Sequence, residues 1–338
     1  MNTFSRYYSK SIGQSVTLSG RTIEKHQAAY INEIITGKYQ HDGDAVKYCD
    51  TDSVYFSAYD ELKPLIDSGE MEWNKDIAVQ LYDSIGDQVN ASFPSFMNKA
   101  FHVTKKSGEI IKAGRELVGD TALFIKKKRY AINIYDKEGK RKDLDGSMGE
   151  IKAMGLDLKR SDTPKYVQDF LMNVLKMVLY GKTKEDIIEE VKTFKRQMQT
   201  QPAWTKGSPK SVSNLTTYTN KELNSKTGKA NLPGHVRGSM NWNTMRRLNG
   251  DKYSMEITDG MRIIVCKLKS NPMGYTSISY PADESRLPEW FKALPFDEAD
   301  MENILTNEKL DNLLGVLGWD LTNDTNINST FDDLFSFN

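Results

Sequence analysis

Residues 47–60 read KYCDTDSVYFSAYD, and this stretch predicts the most informative element of the chain. β-Branched and aromatic residues lie on both sides of the central Asp-Thr-Asp, which is the composition of two short strands joined by a tight turn. We therefore predict a β-hairpin with Thr51 near its tip and Asp50 and Asp52 at the turn. Two carboxylates held this close repel each other unless a cation lies between them.

A hard divalent ion such as Mg²⁺ accepts carboxylate oxygens and resolves this repulsion. Two such ions carry out in-line nucleotidyl transfer, one by activating the attacking oxygen and the other by neutralising the leaving phosphate. A simpler interpretation is that Asp-x-Asp at a hairpin only reflects the preference of turns for Asp. The two residues alone leave both interpretations open.

The composition indicates a folded protein with room for two domains. The chain has 338 residues, of which 38% are hydrophobic, and this balance is typical of globular rather than disordered sequences. Two cysteines, Cys49 and Cys266, imply no disulfide framework, and the scattered His and Cys predict no zinc site. Since no apolar run reaches the roughly 20 residues of a membrane span and no secretion signal opens the chain, we expect a cytoplasmic location.

Charge is unevenly distributed although the formal net charge is zero. Residues 99–130 carry nine Lys/Arg against three Asp/Glu, and residues 192–262 carry thirteen against four. Residues 295–338 carry one Lys against ten acidic residues. The basic blocks favour a polyanionic partner and the acidic end favours a different role, although charged runs also occur on any solvated surface.

The periodicities predict an α+β protein: an antiparallel sheet with flanking helices, then a mostly helical domain and a flexible C-terminal peptide. We predict a helix over residues 1–36, the hairpin over 47–60 and a strand over 124–136 within a first domain of residues 1–152. The second domain covers residues 153–322, with helices after Thr163 and from Lys184 to Met198, and a polar loop over 200–235. Residues 323–338 form the C-terminal peptide.

The hairpin, read as Tyr-x-Asp-Thr-Asp-Ser before an apolar strand, resembles motif C of family B DNA polymerases. Further segments in the same chain order resemble elements of T-even-type bacteriophage polymerases: Lys127-Lys128-Arg129-Tyr130 (KKRY), Met154-Gly155-Leu156 at the palm-to-thumb junction, His235-Val236-Arg237-Gly238 and Asn271-Pro272-Met273-Gly274. The resemblance covers nearly the whole chain and implies that the first domain is half of a polymerase palm and the second is the thumb.

The resemblance assigns roles residue by residue. It implies that Asp52 is the metal-binding carboxylate, that Asp50 is an auxiliary acid, and that two Mg²⁺ ions bind in the assembled site. Thr51 and Ser53 then shape the turn. The DNA-binding residues that it implies are Lys127, Lys128, Arg129, Tyr130 and Arg237.

Glu116 resembles the Glu of a family strand beside the active site. The Asp of that family strand corresponds to Gly114 here. An exposed strand Glu without a catalytic role is therefore an equal alternative.

Two family elements do not occur in the sequence, namely motif A (DxxSLYPS) with the second metal-binding Asp, and motif B (Kx₃NSxYG) on the fingers. The 3′–5′ exonuclease carboxylates are missing as well. We therefore expect an N-terminal polymerase chain to complete a DNA-directed DNA polymerase that extends primer–template DNA with dNTPs. Either the present sequence is a fragment of a longer enzyme, or the polymerase is encoded as two polypeptides, and we favour the second.

The last residues, Phe331, Leu334 and Phe335, lie at helical spacing and resemble the clamp-binding peptide of these enzymes, so a sliding clamp is a further expected partner. A packed terminus is the alternative. Two other functions stay open: a non-catalytic DNA-binding and clamp-tethering subunit, and an RNA polymerase or reverse transcriptase palm. The latter typically carries adjacent Asp-Asp and lacks KKRY.

Overall fold

The structure is a computed structural model that describes residues 6, 8–223 and 232–325. It divides the chain into two compact units, Met1–Met154 and Gly155–Asn338. The sequence predicted a division between residues 152 and 153. The identification of the units as palm and thumb stays a prediction.

The first unit contains four helices and six strands among its described residues. In chain order they are α1 (Lys10–Thr36), β1 (Val46–Asp50), β2 (Ser53–Phe56), α2 (Tyr59–Asp67), α3 (Lys75–Phe101), α4 (Lys105–Gly108), β3 (Leu117–Lys126), β4 (Arg129–Lys137), β5 (Lys140–Arg141) and β6 (Glu150–Met154).

Helix α1 is long because both of its ends are capped. The Ser9 hydroxyl accepts a hydrogen bond from the Ile12 N–H, and Gly37 ends the helix with a left-handed φ of 77°. The inner face of α1 packs on α3 through a small core that contains Ile31, Ile85 and Phe93. Strands β1 and β2 also contact α1, so this helix supports the hairpin from one side.

His26 fixes α1 to its surroundings. Its ring lies 3.8 Å from the Phe96 ring in a parallel stack, and its two nitrogens hydrogen-bond to the hydroxyls of Tyr39 (2.8 Å) and Ser92 (2.9 Å). Burial lowers the pKa of His26 to about 4, because a charged imidazole loses its hydration there. The neutral ring therefore acts as a structural contact between α1 and α3.

Strand β4 is the centre of a second antiparallel sheet. It pairs with β3 along one edge and with β5 and β6 along the other. The prediction of one continuous strand over 124–136 was wrong, because β3 ends at Lys126 and β4 begins at Arg129. The chain reverses between them, where Lys128 adopts a left-handed φ of 62° and the Tyr48 hydroxyl accepts its backbone N–H at 2.8 Å.

The second unit contains eight helices and three strands among its described residues. They are α5 (Lys165–Leu179), α6 (Lys184–Gln199), β7 (Ser208–Ser211), α7 (Leu215–Leu223), α8 (Gly234–Leu248), β8 (Arg262–Lys267), β9 (Ser277–Pro281), α9 (Glu289–Lys292), α10 (Glu298–Leu305), α11 (Asn307–Leu314) and α12 (Leu321–Asp324). The polar loop predicted over 200–235 is therefore interrupted by β7 and α7. Strand β7 gains its hydrogen bonds from the distant β8, which local composition does not reveal.

Helix α8 lies directly on the antiparallel sheet of β7, β8 and β9. Trp242 of α8 is fully buried and its ring lies 5.3 Å from the Phe291 ring. The helix approaches the sheet so closely at Gly238 that an added Cβ atom lies 2.4 Å from Ser279 Oγ and 3.1 Å from the Ile278 carbonyl carbon. Only a residue without a side chain fits at that distance.

The α+β class with antiparallel sheets and flanking helices is confirmed. Of the helices in the described part of the chain, none combines the length and the apolar character that crossing a bilayer requires. The predicted clamp-binding residues, Phe331, Leu334 and Phe335, lie outside the described residues.

Candidate active site

The aspartate turn, residues 50–53, is shaped by its own side chains. Asp50 and Ser53 form the last pair of the hairpin, and Thr51 at the tip has a left-handed φ of 61°. The Asp52 N–H donates to the Asp50 carbonyl at 2.7 Å, and the Ser53 hydroxyl donates to the same carbonyl at 3.2 Å. The Thr51 hydroxyl donates to Asp50 Oδ1 at 3.2 Å. These bonds restrict the Asp50 carboxylate and the backbone that carries Asp52.

The two carboxylates have different surroundings. Asp52 is exposed and lines a groove of about 640 Å³ in the first unit, together with Thr51, Ser53 and Glu116. The Asp50 side chain is 24% exposed, and the Lys128 ammonium lies 3.4 Å from its Oδ1. Asp52 is thus the carboxylate that a cation in the groove can reach, while Asp50 already has a partner.

The lysine turn, residues 126–129, presents cations beside the aspartate turn. Lys126, Lys127 and Lys128 are exposed, and Arg129 is half-buried. A tight turn formed by two lysines exposes their ammonium groups to solvent and places them within reach of an anionic ligand. Lys128 therefore connects the two turns twice, through its ammonium to Asp50 and through its N–H to Tyr48.

The aromatic cluster, comprising Tyr48, Tyr55, Phe124 and Tyr130, joins the two turns from below. Its six ring pairs have centroid separations between 5.3 and 5.9 Å. The Tyr55 and Tyr130 hydroxyls lie 2.9 Å apart and form a hydrogen bond. Burial, and then the hydrogen bond to Tyr55, raise the pKa of Tyr130, so this phenol stays neutral at physiological pH.

Glu116 lies on the wall of the groove and is half-exposed. Its carboxylate pairs with Lys152 of β6 at 2.6 Å. The preceding Arg115 is fixed between Asp83 of α3 and Asp136 of β4, with an N–O separation of 2.5 Å in each pair. In the described ranges, no three His, Cys, Asp or Glu residues come together as a ready metal cluster.

A sequence profile described as DNA polymerase family B matches residues 88–269 of the chain. The chain belongs to this family. The match covers the lysine turn and most of the second unit but not the aspartate turn, so the assignment of motif C stays a prediction.

Two curated relatives agree with the family assignment. The DNA-directed DNA polymerase of Enterobacteria phage T4 is 26% identical over 294 residues, and that of Escherichia phage RB69 is 28% identical over 298 residues. Each alignment covers 83% of this chain and 31% of the relative. The resemblance to T-even-type family B polymerases is therefore confirmed, and the chain spans about a third of the length of these relatives.

The predicted site residues of this family B chain fall into two groups. Asp50, Asp52, Glu116 and the lysine turn lie in the first unit, where Lys128 touches Asp50 and Asp52 shares the groove with Glu116. Tyr130 is 93% shielded from solvent and packs in the aromatic cluster, and its DNA-binding role stays a prediction. Arg237 lies on α8 of the second unit and is half-buried.

Tyr48, Tyr55 and Phe124 had no predicted role. A signal for part of the cluster was present, because a hairpin centred on Thr51 places Tyr48 opposite Tyr55 in an antiparallel register. Their packing against Phe124 and Tyr130 joins segments about 70 residues apart, and local patterns do not reveal such contacts.

Proposed function

We propose that this chain supplies the motif C carboxylates and the primer–template grip of a DNA-directed DNA polymerase that extends a primer with dNTPs. The observation that supports it most is the aromatic cluster, which joins an acidic turn to a basic turn in one packed unit. Nucleotidyl transfer needs both charges at one place: carboxylates for divalent cations and ammonium groups for the nucleic-acid backbone.

In this proposal Asp52 is the main metal ligand. It is exposed in the groove and offers the hard oxygen donors that Mg²⁺ prefers, and Mg²⁺ sites commonly use one or two carboxylates with substrate phosphates completing the shell. Two bound Mg²⁺ ions supply charge stabilisation to the attacking and leaving oxygens. Asp50 is the auxiliary acid, with its charge balanced by Lys128.

The other residues of the first unit bind and orient. Lys127, Lys128 and Arg129 contact phosphates near the primer end in this scheme, which the exposure of the two lysines and the position of Lys128 beside Asp50 support. Tyr130 is a positioning residue in this scheme, since its hydroxyl is bonded to Tyr55. Thr51 and Ser53 hold the aspartate turn, and Glu116 orients Lys152 at the groove wall.

The proposal requires a second carboxylate from outside this sequence. The motif A pattern does not occur in it, and the acids around Asp52 form no complete coordination shell within the described residues. A polypeptide that carries the exonuclease, motif A and fingers elements provides that acid, and it fits the 31% share of the relatives that this chain spans.

Primer extension tests this function. We expect the 338-residue chain to be inactive alone and active with the polypeptide that carries motif A. Asp52→Asn should lower the rate of the assembled enzyme by about 10³-fold or more, since several kcal/mol of charge stabilisation disappear. Asp50→Asn should have a smaller effect.

Asp67→Asn, which changes an exposed carboxylate of α2, is the matched control and should retain full activity. Robust extension by the chain alone contradicts the need for a second acid. An unaffected Asp52→Asn enzyme supports the alternative of a non-catalytic DNA-binding subunit.

We also propose that Phe331, Leu334 and Phe335 bind a sliding clamp. The support is their i, i+3, i+4 spacing, which lets one helical turn present an apolar anchor. Deleting residues 331–338 should leave distributive synthesis unchanged and abolish stimulation by the clamp. Equal processivity with and without these residues counts against this role.

A further inference from the structure

Helix α8 and the loop that follows it, residues 249–255 (the tyrosine loop), display two large side chains to solvent. Tyr253 is 98% exposed and Leu248 is 74% exposed. Isolated exposed apolar residues are common on protein surfaces. A nearly fully exposed aromatic ring is informative only when the backbone that carries it is fixed.

Hydrogen bonds to Asp251 fix this loop. Asp251 Oδ1 accepts the backbone N–H groups of Tyr253 and Ser254, each at 3.0 Å. Asp251 Oδ2 accepts the Ser254 hydroxyl at 2.6 Å and the Trp290 indole N–H at 3.0 Å. Arg246 Nε donates to the Ser254 carbonyl at 2.6 Å. The loop is therefore tied to α8 and α9, and the exposure of Tyr253 belongs to an ordered structure.

Two exposed cations precede Tyr253 in this segment, Arg247 in the last turn of α8 and Lys252 next to Tyr253. The nearby acids have partners in the fold. Asp251 holds the loop, Glu256 is 55% exposed and lies 3.6 Å from Arg246, and Glu284 accepts the Met255 N–H at 2.8 Å. Arg247 and Lys252 are thus the exposed cations that this segment offers to an anion.

We propose that the tyrosine loop binds single-stranded nucleic acid, with one unpaired base stacked on the Tyr253 ring and flanking phosphates paired with Arg247 and Lys252. Exposed aromatic rings between basic side chains bind single strands because every unpaired base offers a π face. Duplex bases are covered by their neighbours, so a duplex can use only the cations. This site goes beyond the proposed function, with which it shares only the premise of a nucleic-acid ligand.

Binding of fluorescent oligonucleotides to the full chain tests the proposal. The probes are a dT₁₅ strand and a blunt hairpin duplex, each titrated at two salt concentrations. Tyr253→Ala should weaken binding of the single strand by about 5- to 10-fold and leave duplex binding within about twofold. Tyr253→Phe should keep the wild-type affinity, because it retains the ring and loses only the hydroxyl.

Two further variants test the role of the cations and provide a control. Lys252→Ala with Arg247→Ala should reduce the salt dependence of strand binding by about 1.4 in log–log slope. Val316→Ala removes another exposed apolar side chain of the second unit, 51% exposed in an acidic region, and should change nothing. Tyr253 is exposed to solvent on nearly all sides, so its replacement should leave Tm unchanged.

Three results overturn the proposal: no binding of dT₁₅ by the wild-type chain, an unchanged affinity of Tyr253→Ala, or equal losses for strand and duplex. Displacement of dT₁₅ by poly-glutamate with equal efficiency in the wild type and in Tyr253→Ala indicates a site that reads charge alone, and that also overturns it. Loss of primer extension in Asp52→Asn is independent of these measurements, so the two proposals fail separately.

Discussion

The aspartate turn and the lysine turn share one backbone device and carry opposite charges. Each has a non-glycine residue in the left-handed region at its tip, Thr51 with φ 61° and Lys128 with φ 62°. Glycine is the residue that adopts this conformation at the lowest cost. The comparison teaches that both turns keep a side chain where backbone energetics favour none, a feature they share with four other described residues, namely His102, Glu138, Asp145 and Asn214.

The turns differ in what supports them. The aspartate turn is held by α1 on one side and the aromatic cluster on the other, and its own hydroxyls restrict it. The lysine turn is held by the cluster and by the hydrogen bond from its Lys128 N–H to Tyr48. Removing the aromatic cluster, which supports both turns, should affect both. Removing a contact that supports one turn should affect only that turn.

Truncation of the shared support should have the largest effect. Tyr130→Ala removes a buried ring from the cluster and should lower the free energy of unfolding of the first unit by about 3 kcal/mol. Tyr130→Phe leaves the Tyr55 hydroxyl without this partner and should cost about 1 kcal/mol. Urea denaturation measures both values.

Tyr8→Ala, at a half-exposed tyrosine of the same unit, is the control and should change stability by less than about 0.5 kcal/mol. A Tyr130→Ala chain as stable as the wild type shows that the cluster does not hold the turns.

Acid should weaken the packing of α1, which supports only the aspartate turn, because His26 is part of that packing. Burial lowers the pKa of His26 in the folded chain to about 4 from its ordinary value of 6.5, so the unfolded chain binds more protons between these values. Stability should therefore be complete above pH 6.5 and fall as the pH drops toward 4, by on the order of 2 kcal/mol.

Unfolding free energies at several pH values, compared between wild type and His26→Gln, isolate this contribution from the carboxylates. His41→Gln, at an exposed histidine, should keep the wild-type slope. Parallel pH profiles for wild type and His26→Gln contradict the assignment.

Charge removal at the lysine turn should have a moderate effect on ligand binding and little on stability. Lys127→Ala with Lys128→Ala should weaken binding of duplex DNA by about tenfold and reduce the salt slope by about 1.8, since each phosphate contact releases a counterion. Lys105→Ala with Lys106→Ala removes the same charge from exposed positions of α4 and is the matched control. Equal losses in the two variants indicate that only net charge matters.

Glycine at the two tips should have the smallest effect and tests the shared backbone device directly. Lys128→Gly relieves a left-handed lysine but loses the exposed ion pair with Asp50, so it should change the stability of the first unit by less than about 0.5 kcal/mol. Thr51→Gly relieves the same strain but loses the hydrogen bond to Asp50, so its net effect should be near zero.

Lys126→Gly, at the last residue of β3, relieves no left-handed φ and should destabilise by about 0.5 kcal/mol. Thermal unfolding measures these differences. A loss of stability in Lys128→Gly that equals the loss in Lys126→Gly shows that the turn stores no strain.

The sequence predicted the aspartate turn but not the lysine turn, for a physical reason. Strong β-formers around Asp-Thr-Asp define a hairpin locally, and the structure has it between β1 and β2. Lys127 and Lys128 carry none of the Gly, Asn or Pro signals of a turn. The chain reverses there with the help of the Tyr48 hydroxyl, 80 positions earlier in the sequence.

The other elements likewise differ in whether local signals or distant partners define them. Helix α6 was predicted almost to its ends because a Thr183 cap and an amphipathic repeat are local signals. Strand β7 was missed because its partner β8 follows more than 50 residues later. The acids and bases of the candidate site were found by motif, whereas the aromatic residues that join them depend on tertiary packing.

The close approach of α8 to β9 at Gly238 has a practical consequence. A methyl group there meets the Ile278 backbone, which cannot rotate away as a side chain can, while alanine itself favours the helix. The replacement Gly238→Ala therefore sets a gain in helix propensity against a steric clash, and the balance shifts with heating. Such a substitution is a rational starting point for a temperature-sensitive variant of this chain.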